Sequence, residues 1–572
     1  MADVPSFIFF RSVPLSNRIN QDMKKWFLLA CLAWQVSFSA LAQNKAKTAP
    51  NPSAKTQVPL VVGIVVDQMR YDFLHRYANH YGEGGFKRLM QGFVAHNHHY
   101  DYAQTVTAAG HATVYTGSVP AIHGIIGNEW YDRIGKKSMY CVQDTSVRTV
   151  GSTNATAGKM SPKNMETSTI TDQLRINSNF NSKVIGIALK DRGAILPAGH
   201  AANGAFWFDS KTGNWITSTF YSSQLPSWVE AYNARKRPTE LMKSGWKTLL
   251  PIEKYIESEA DDQPYESKIT ADRKSTFPYD FSASFGEAFG AIGTSPHGLT
   301  ITKELAIEAI KGENLGKNGQ TDFLAVSFSS TDYVGHAFGP YSVETQDMYL
   351  RLDRDISEML TFLDNWVGKD NYIVFLTADH AVMDVPEMWQ KHKLPAGRID
   401  ISGLTKAVRK TLLEKFGDAS LYEDADNYQL YLDRIKLAQR GISVQQVVDV
   451  LRPTVTQFAG IQNILASENI LQATLPAQLT ELYRNGYHPV RSGDIQLVTK
   501  PGWIAGSITA THGATYNYDT HIPLVFYGKG VQSGHTYERT HVTDTAPTLA
   551  AFLKILAPSG SVGRVLSGAL SR

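Results

Sequence analysis

The chain has 572 residues, 43% of them hydrophobic and 11% aromatic, which is enough to bury a large core. Its 56 basic and 53 acidic residues leave a net charge of +3, so bulk attraction to nucleic acid has no support and no nucleic-acid partner is expected. The two cysteines, Cys31 and Cys141, do not make a disulfide framework, because the first falls in a removable leader.

That leader is Met23 to Ala42: two lysines, an apolar run, and Ala40-Leu41-Ala42 as a small-residue cleavage site. Residues 1–22 then read as an upstream extension, cleavage is expected after Ala42, and residues 43–58 as a flexible lead-in. No other run approaches membrane-spanning length, so no membrane span is expected in the mature protein.

Pro59 to Val66 is a continuous apolar, β-branched run, the pattern of a strand buried on both faces, and it ends at Asp67. Thr105 to Ser118 follows as a small-residue stretch around Thr107, with a polar loop ending at Asn128. Strand-like runs recur at Val184–Leu189 before Lys190, Phe323–Phe328 before Asp332, Tyr372–Leu376 before Asp379-His380, and Ile522–Tyr527. Between them come helical patterns: Thr302–Ile310, a long helix capped by Ser342 and ending near Val367, and Thr543–Leu556. This alternation predicts an α/β fold with a doubly wound, mainly parallel central sheet and helices on both faces. Its site should lie beyond the carboxyl ends of the strands, where the polar residues fall.

Two regions break the alternation and read as insertions capping the site, one near 200–295 and one near 386–500. The first opens with a hairpin signature at Ala205–Thr219, with Gly213 in the turn. The second carries helices near 403–416 and 443–452 and a strand near 428–432.

Asp332 and His336 are four apart and can converge on one ion from a helical turn. Asp379 and His380 are adjacent, so they share an ion only on a turn after the strand. His512 sits in a small-residue loop suited to presenting one ring. Zinc accepts such mixed sets. Taken singly, each has a bland reading: Thr107 as a helix cap, and Lys190 and Arg192 as surface bases placed on one face of an extended segment. The dense cluster His96, His98 and His99 lacks a carboxylate at ligand spacing and a preceding strand, and reads as surface or edge. His111 and His123 read as supporting residues.

In order along residues 59–556, Asp67, Thr107 in Thr-Ala-Ala-Gly-His, Asp332-x-x-x-His336, Asp379-His380, His512-Gly and Asp544-Thr-Ala-Pro-Thr-Leu549 resemble the alkaline phosphatase superfamily. Gly117 to Asn128 and Lys190-Asp-Arg192 look like the periplasmic, phosphate-irrepressible (PafA-type) enzymes within it. The resemblance implies two Zn²⁺ ions, one held by Asp332, His336 and His512 and the other by Asp67, Asp379 and His380. It implies Thr107 as nucleophile, with Asn128, Lys190 and Arg192 on the phosphoryl oxygens. It further implies a periplasmic hydrolase of small-molecule phosphate monoesters, and a monomer is expected. Ala381 departs from the glycine common after the Asp-His pair.

Bound zinc makes an alkoxide accessible near neutral pH and flanks an in-line displacement at phosphorus. Two alternatives stand beside this reading: a phosphodiesterase or nucleotide pyrophosphatase on the same core, and an exported binding protein without catalysis. Diesters carry one negative charge fewer, which leaves a Lys/Arg pair over-provided. A sulfatase is disfavoured because Cys141 is followed by Val-Gln-Asp.

Overall fold

The computed structural model describes residues 58–270, 272–282 and 289–571. The export signal, its cleavage point after Ala42 and the lead-in up to residue 57 lie outside the described residues.

Six strands organise the sheet: β1 (Leu60–Val66), β2 (Phe93–His99), β3 (Val184–Ala188), β4 (Asp322–Phe328), β5 (Tyr372–Thr377) and β6 (His521–Gly528). Every residue of β1, β3, β4 and β5 is buried, as continuous apolar runs require when helices cover both faces. The order across the sheet is β2-β6-β5-β1-β4-β3. β1 pairs in parallel with β4 and β5, and β4 in parallel with β3. Val65 lies opposite Thr377, Val66 opposite Phe328, and Ala188 opposite Ser327. This register delivers Asp67, Asp379, the residues after Phe328, and Lys190 to one edge.

β6 fills the place expected of Ile522–Tyr527 but runs antiparallel to β5. Its first residue therefore sits at the edge where its neighbours end, and the loop carrying His512 arrives beside the parallel strand ends. The expected hairpin is present as Gly204–Asp209 and Asn214–Ser218, with Gly213 at φ +72°. It extends the central sheet instead of capping it, because Gly204–Asp209 pairs in parallel with β3. The His96–His99 cluster also needs correcting. It lies on β2, where two short strands far along the chain, Gly534–Thr536 and Thr540–His541, cover the strand and bury His98 and His99.

Among the helices are α1 (Thr107–Thr116), α2 (Asp191–Ala198), α3 (Ser330–Phe338) and α4 (Val343–Trp366). Ser342 caps α4 by accepting from the Thr345 N–H, and Leu352, Ile356, Met359, Leu360 and Leu363 form its buried stripe. The other expected helices span His297–Gly312 and Thr545–Leu553. Residues 386–500 contain a separate four-stranded sheet built on Tyr422–Asp426, Gln429–Leu432, Ile461–Ala466 and Ile495–Thr499. Helices Ile401–Phe416 and Val444–Val455 cover it around a core that includes Leu404, Val408, Val447 and Leu451. Among the described residues no helix is long and apolar enough to cross a membrane.

Candidate active site

At the end of β1 the chain turns through Gln68, whose φ is +66°. The turn leaves Asp67 fully buried and aims Gln68 both ways: its N–H donates to Asp379 Oδ1 at 3.1 Å and its side-chain amide to Asp332 Oδ1 at 2.5 Å. Gly335 accommodates that side chain, since a Cβ there would lie 1.9 Å from Gln68 Oε1. No sequence signal marks Gln68, because both partners are distant in the chain.

Asp332 and His336 are one turn apart on α3, with His336 Nε2 3.1 Å from Asp332 Oδ1. His512 Nε2 is 3.6 Å from the same oxygen. His380 Nε2 is 3.6 Å from both Asp67 Oδ1 and Asp379 Oδ2. The His380 and His512 rings stack with centroids 3.5 Å apart, so the two groups abut. The ligand atoms of Asp67, Asp379 and His380 lie within 4.8 Å of one another, as do those of Asp332, His380 and His512.

Each imidazole is fixed from behind: His336 Nδ1 meets Ala510 O at 2.7 Å, His512 Nδ1 meets Thr105 O at 2.7 Å, and His380 Nδ1 meets Ala381 O at 3.0 Å. A ring whose Nδ1–H donates to a carbonyl presents the lone pair of Nε2, the arrangement that metal-binding histidines use. Burial, reinforced by neighbouring imidazoles, holds His380 well below the usual histidine range and His512 down to about 3, so both rings are neutral. Burial pushes Asp67 up to about 6 against the pull of Lys190, and burial with Asp67 nearby pushes Asp379 well above its usual range. Burial also opposes ionisation of Asp332, but His336 and Lys190 outweigh it and hold that carboxyl well below its usual range.

Thr107 is the first residue of α1, and its hydroxyl makes no capping bond. The N–H of Ala108 is satisfied instead by Asn128 Oδ1 at 2.9 Å, which orients the amide and leaves its NH₂ group as the donor. Thr107 Oγ1 is 3.4 Å from His380 Nε2 and 3.5 Å from Lys190 Nζ. Lys190 Nζ also donates to Asp67 Oδ2 at 2.7 Å and Asp332 Oδ2 at 2.5 Å.

Lys190 and Arg192 are not on an extended segment. Lys190 is the N-cap of α2 and Arg192 its second residue, because the chain turns into a helix directly after β3. Arg192 Nη1 donates to Tyr140 Oη at 3.0 Å, while Nε is buried without an acceptor. Tyr140 and Tyr333, whose ring lies 5.0 Å from Lys190 Nζ, are further site residues that spacing could not reveal. His111 ties α1 to β4 through Thr107 O and Ser327 Oγ, both at 2.8 Å. His123 Nε2 meets Thr113 Oγ1 at 3.0 Å and stays within the core.

The sequence matches the family described as type I phosphodiesterase / nucleotide pyrophosphatase over residues 61–521. It is 44% identical over 553 residues to the alkaline phosphatase PafA of Elizabethkingia meningoseptica, covering 96% of this chain and 99% of that one. It is 44% identical over 552 residues to the alkaline phosphatase PhoV of Synechococcus elongatus, covering 95% and 99%. A protein of Myroides odoratus named calcium-transporting ATPase is 46% identical over 543 residues, covering 94% and 97%. The 1.7 Å crystal structure of wild-type PafA superimposes with a TM-score of 0.87 over 90% of this chain and 99% of that one. The chain therefore belongs to the type I phosphodiesterase / nucleotide pyrophosphatase family, and its near-full-length relatives include the alkaline phosphatases of two bacteria.

Proposed function

We propose that this protein hydrolyses phosphate monoesters through Thr107, with two zinc ions as cofactors. The observation that carries the reading is the set of three imidazoles whose Nδ1 atoms are tied to carbonyls while each Nε2 lies within 3.6 Å of a carboxylate oxygen, with Thr107 Oγ1 3.4 Å from that of His380.

The residues fit the metal. Asp67 Oδ1 and Asp379 Oδ2 are buried with no hydrogen-bond partner, which is costly for a carboxylate unless a cation meets it. Mixed histidine and aspartate donors suit zinc. Asp332, His336 and His512 would hold one ion and Asp67, Asp379 and His380 the other. When bound, the ions supply Lewis acidity that lowers the pKa of a hydroxyl and stabilises charge on a departing oxygen.

The chain's own part is positioning. The Asn128 amide, Lys190 and Arg192 bind the phosphoryl oxygens, with the unpartnered Arg192 Nε as one donor. Thr107 Oγ1 attacks phosphorus as the ester P–O bond breaks, giving a phosphothreonine and the free alcohol. Water then attacks that phosphorus, releasing inorganic phosphate and restoring the hydroxyl. Two cationic side chains match a dianion, which favours monoesters over diesters.

Metal analysis should find two zinc equivalents per chain. Thr107→Ala should keep the metal and lose activity by about a thousandfold or more. A variant that retained activity would place the nucleophile elsewhere. The family description favours a second reading as a phosphodiesterase. Turnover of phenyl phosphate against its methyl diester separates the two, and a diester preference would select the second. We further propose a monomer exported to the periplasm, with Gln43 as the mature N-terminus; N-terminal sequencing of secreted material and sedimentation check both.

A further inference from the structure

We infer that Tyr428, at the tip of a hairpin in the 386–500 region, forms the wall of a subsite for the alcohol part of the ester, selecting uncharged aryl or apolar groups. The inference rests on the phosphatase reading above.

Strands Tyr422–Asp426 and Gln429–Leu432 pair with Asp426 opposite Gln429, so only Asn427 and Tyr428 make the turn. Both have positive φ, +47° and +60°. A two-residue turn of this kind favours Asn-Gly. Asn427 fits the first position, but an aromatic residue at the second is a conformational outlier where glycine would be at ease. Outliers of this kind are kept where the side chain has a task.

The ring's surroundings indicate that task. A Cβ placed on Gly513 would lie 3.7 Å from Tyr428 Cε2 and 3.8 Å from Val106 Cγ1. The ring thus sits beside the residue after His512 and near the residue before Thr107. It is held there by the Ala505 N–H donating to Tyr428 Oη at 3.2 Å, and by the Leu497 N–H donating to its carbonyl at 2.8 Å. Asn427 Nδ2 donates to Glu129 O at 3.3 Å, which pins the tip next to Asn128. A cavity of about 280 Å³ extends from His512 and Thr511 past Tyr428 to Ile401, Leu404 and Leu497. The candidate metal ligand His512 shares that cavity with the Tyr428 ring and with Ile401, Leu404 and Leu497, while Thr405, Gln429 and Thr511 add polar wall, so an alcohol leaving from the phosphoryl centre meets apolar contact on the Tyr428 side. Asp426 lines the same cavity; burial, with Glu129 nearby, pushes its carboxyl up to about 7, so above that pH it disfavours alcohols carrying negative charge.

Tyr428→Gly removes the ring while giving the turn its preferred residue, so the hairpin is kept. Tyr428→Phe keeps the ring. The reading is the ratio of kcat/KM for phenyl phosphate to that for methyl phosphate. In Tyr428→Gly we expect the ratio to fall about tenfold, mainly through KM for phenyl phosphate, and in Tyr428→Phe to stay near the wild-type value. An unchanged ratio in active Tyr428→Gly overturns the subsite, and so does an equal fall in both variants. Metal-replete wild-type protein that hydrolyses neither ester overturns the phosphatase reading and the subsite with it.

Discussion

Asn128 shows how one side chain does two jobs that a substitution can separate. Its Oδ1 satisfies the Ala108 N–H at the start of α1, and its NH₂ group is left to donate. Asn128→Asp preserves the acceptor but replaces the donor with a negative charge facing a dianion. We expect kcat/KM for a phosphate monoester to fall by about 10²–10³, with folding stability changed by less than about 1 kcal/mol. Steady-state kinetics and thermal melts on the same preparation check both halves. Much of the residue-level site was legible in the sequence, because Asp67, Lys190, Asp332 and Asp379 each follow an apolar run that had to be a buried strand. Gln68, Tyr140 and Tyr333 were not legible, since each has meaning only through partners brought close by folding. Alternation places Lys190 and Arg192 as an extended pair, which is the wrong geometry, because the turn into α2 carries no sequence signal that competes with it.

At the scale of elements, α1 is buried along all ten residues, and Gly110 is where its backbone meets the turn after β5. Alanine there would gain about 1 kcal/mol of helix propensity. The added Cβ, however, would lie 2.0 Å from Asp379 O, a backbone atom that cannot move without displacing Asp379 itself. Overpacking costs about 1–3 kcal/mol, so Gly110→Ala should lower both melting temperature and activity. A stabilised, fully active variant would contradict this packing account.

The segment lying over α4 gives a pH test of a different kind. Burial, with Asp261, Asp262 and Glu259 nearby, pushes Glu266 up to about 8 from an ordinary 4.5, and it faces Glu344 on α4. The folded chain thus binds this proton more tightly than the unfolded chain, so the stabilisation is complete below pH 4.5 and is lost as pH rises through 8. Glu266→Gln stays neutral throughout. It should melt with wild type near the acid end of that window and above wild type on the alkaline side. A gap that does not widen with pH would show that Glu266 does not titrate in this way.

Across the whole molecule, the sheet register brings three buried aspartates to one edge, and their mutual repulsion has to be offset. Cys141 is buried and unpaired, so among the described residues no disulfide shares that load. Stripping the metal should therefore lower the melting temperature. Each ion present at a thousand times its Kd adds about 4 kcal/mol. Calorimetry with and without chelator, followed by zinc, should show the loss and its recovery; a melt indifferent to chelation would remove the metals from the stability account. Sequence by itself determined the alternation of buried strands and covering helices and the polar residues at strand ends, because period and burial are local properties of the chain. It also carried the ordered motifs that resemble one family. Only the tertiary structure decided that β6 runs antiparallel, that the 204–218 hairpin joins the central sheet, and that His98 and His99 are buried while His96 stays half-exposed. Only it placed Tyr428 beside Gly513, the residue after His512. Those outcomes depend on which segments pair and in which direction, which no local pattern encodes.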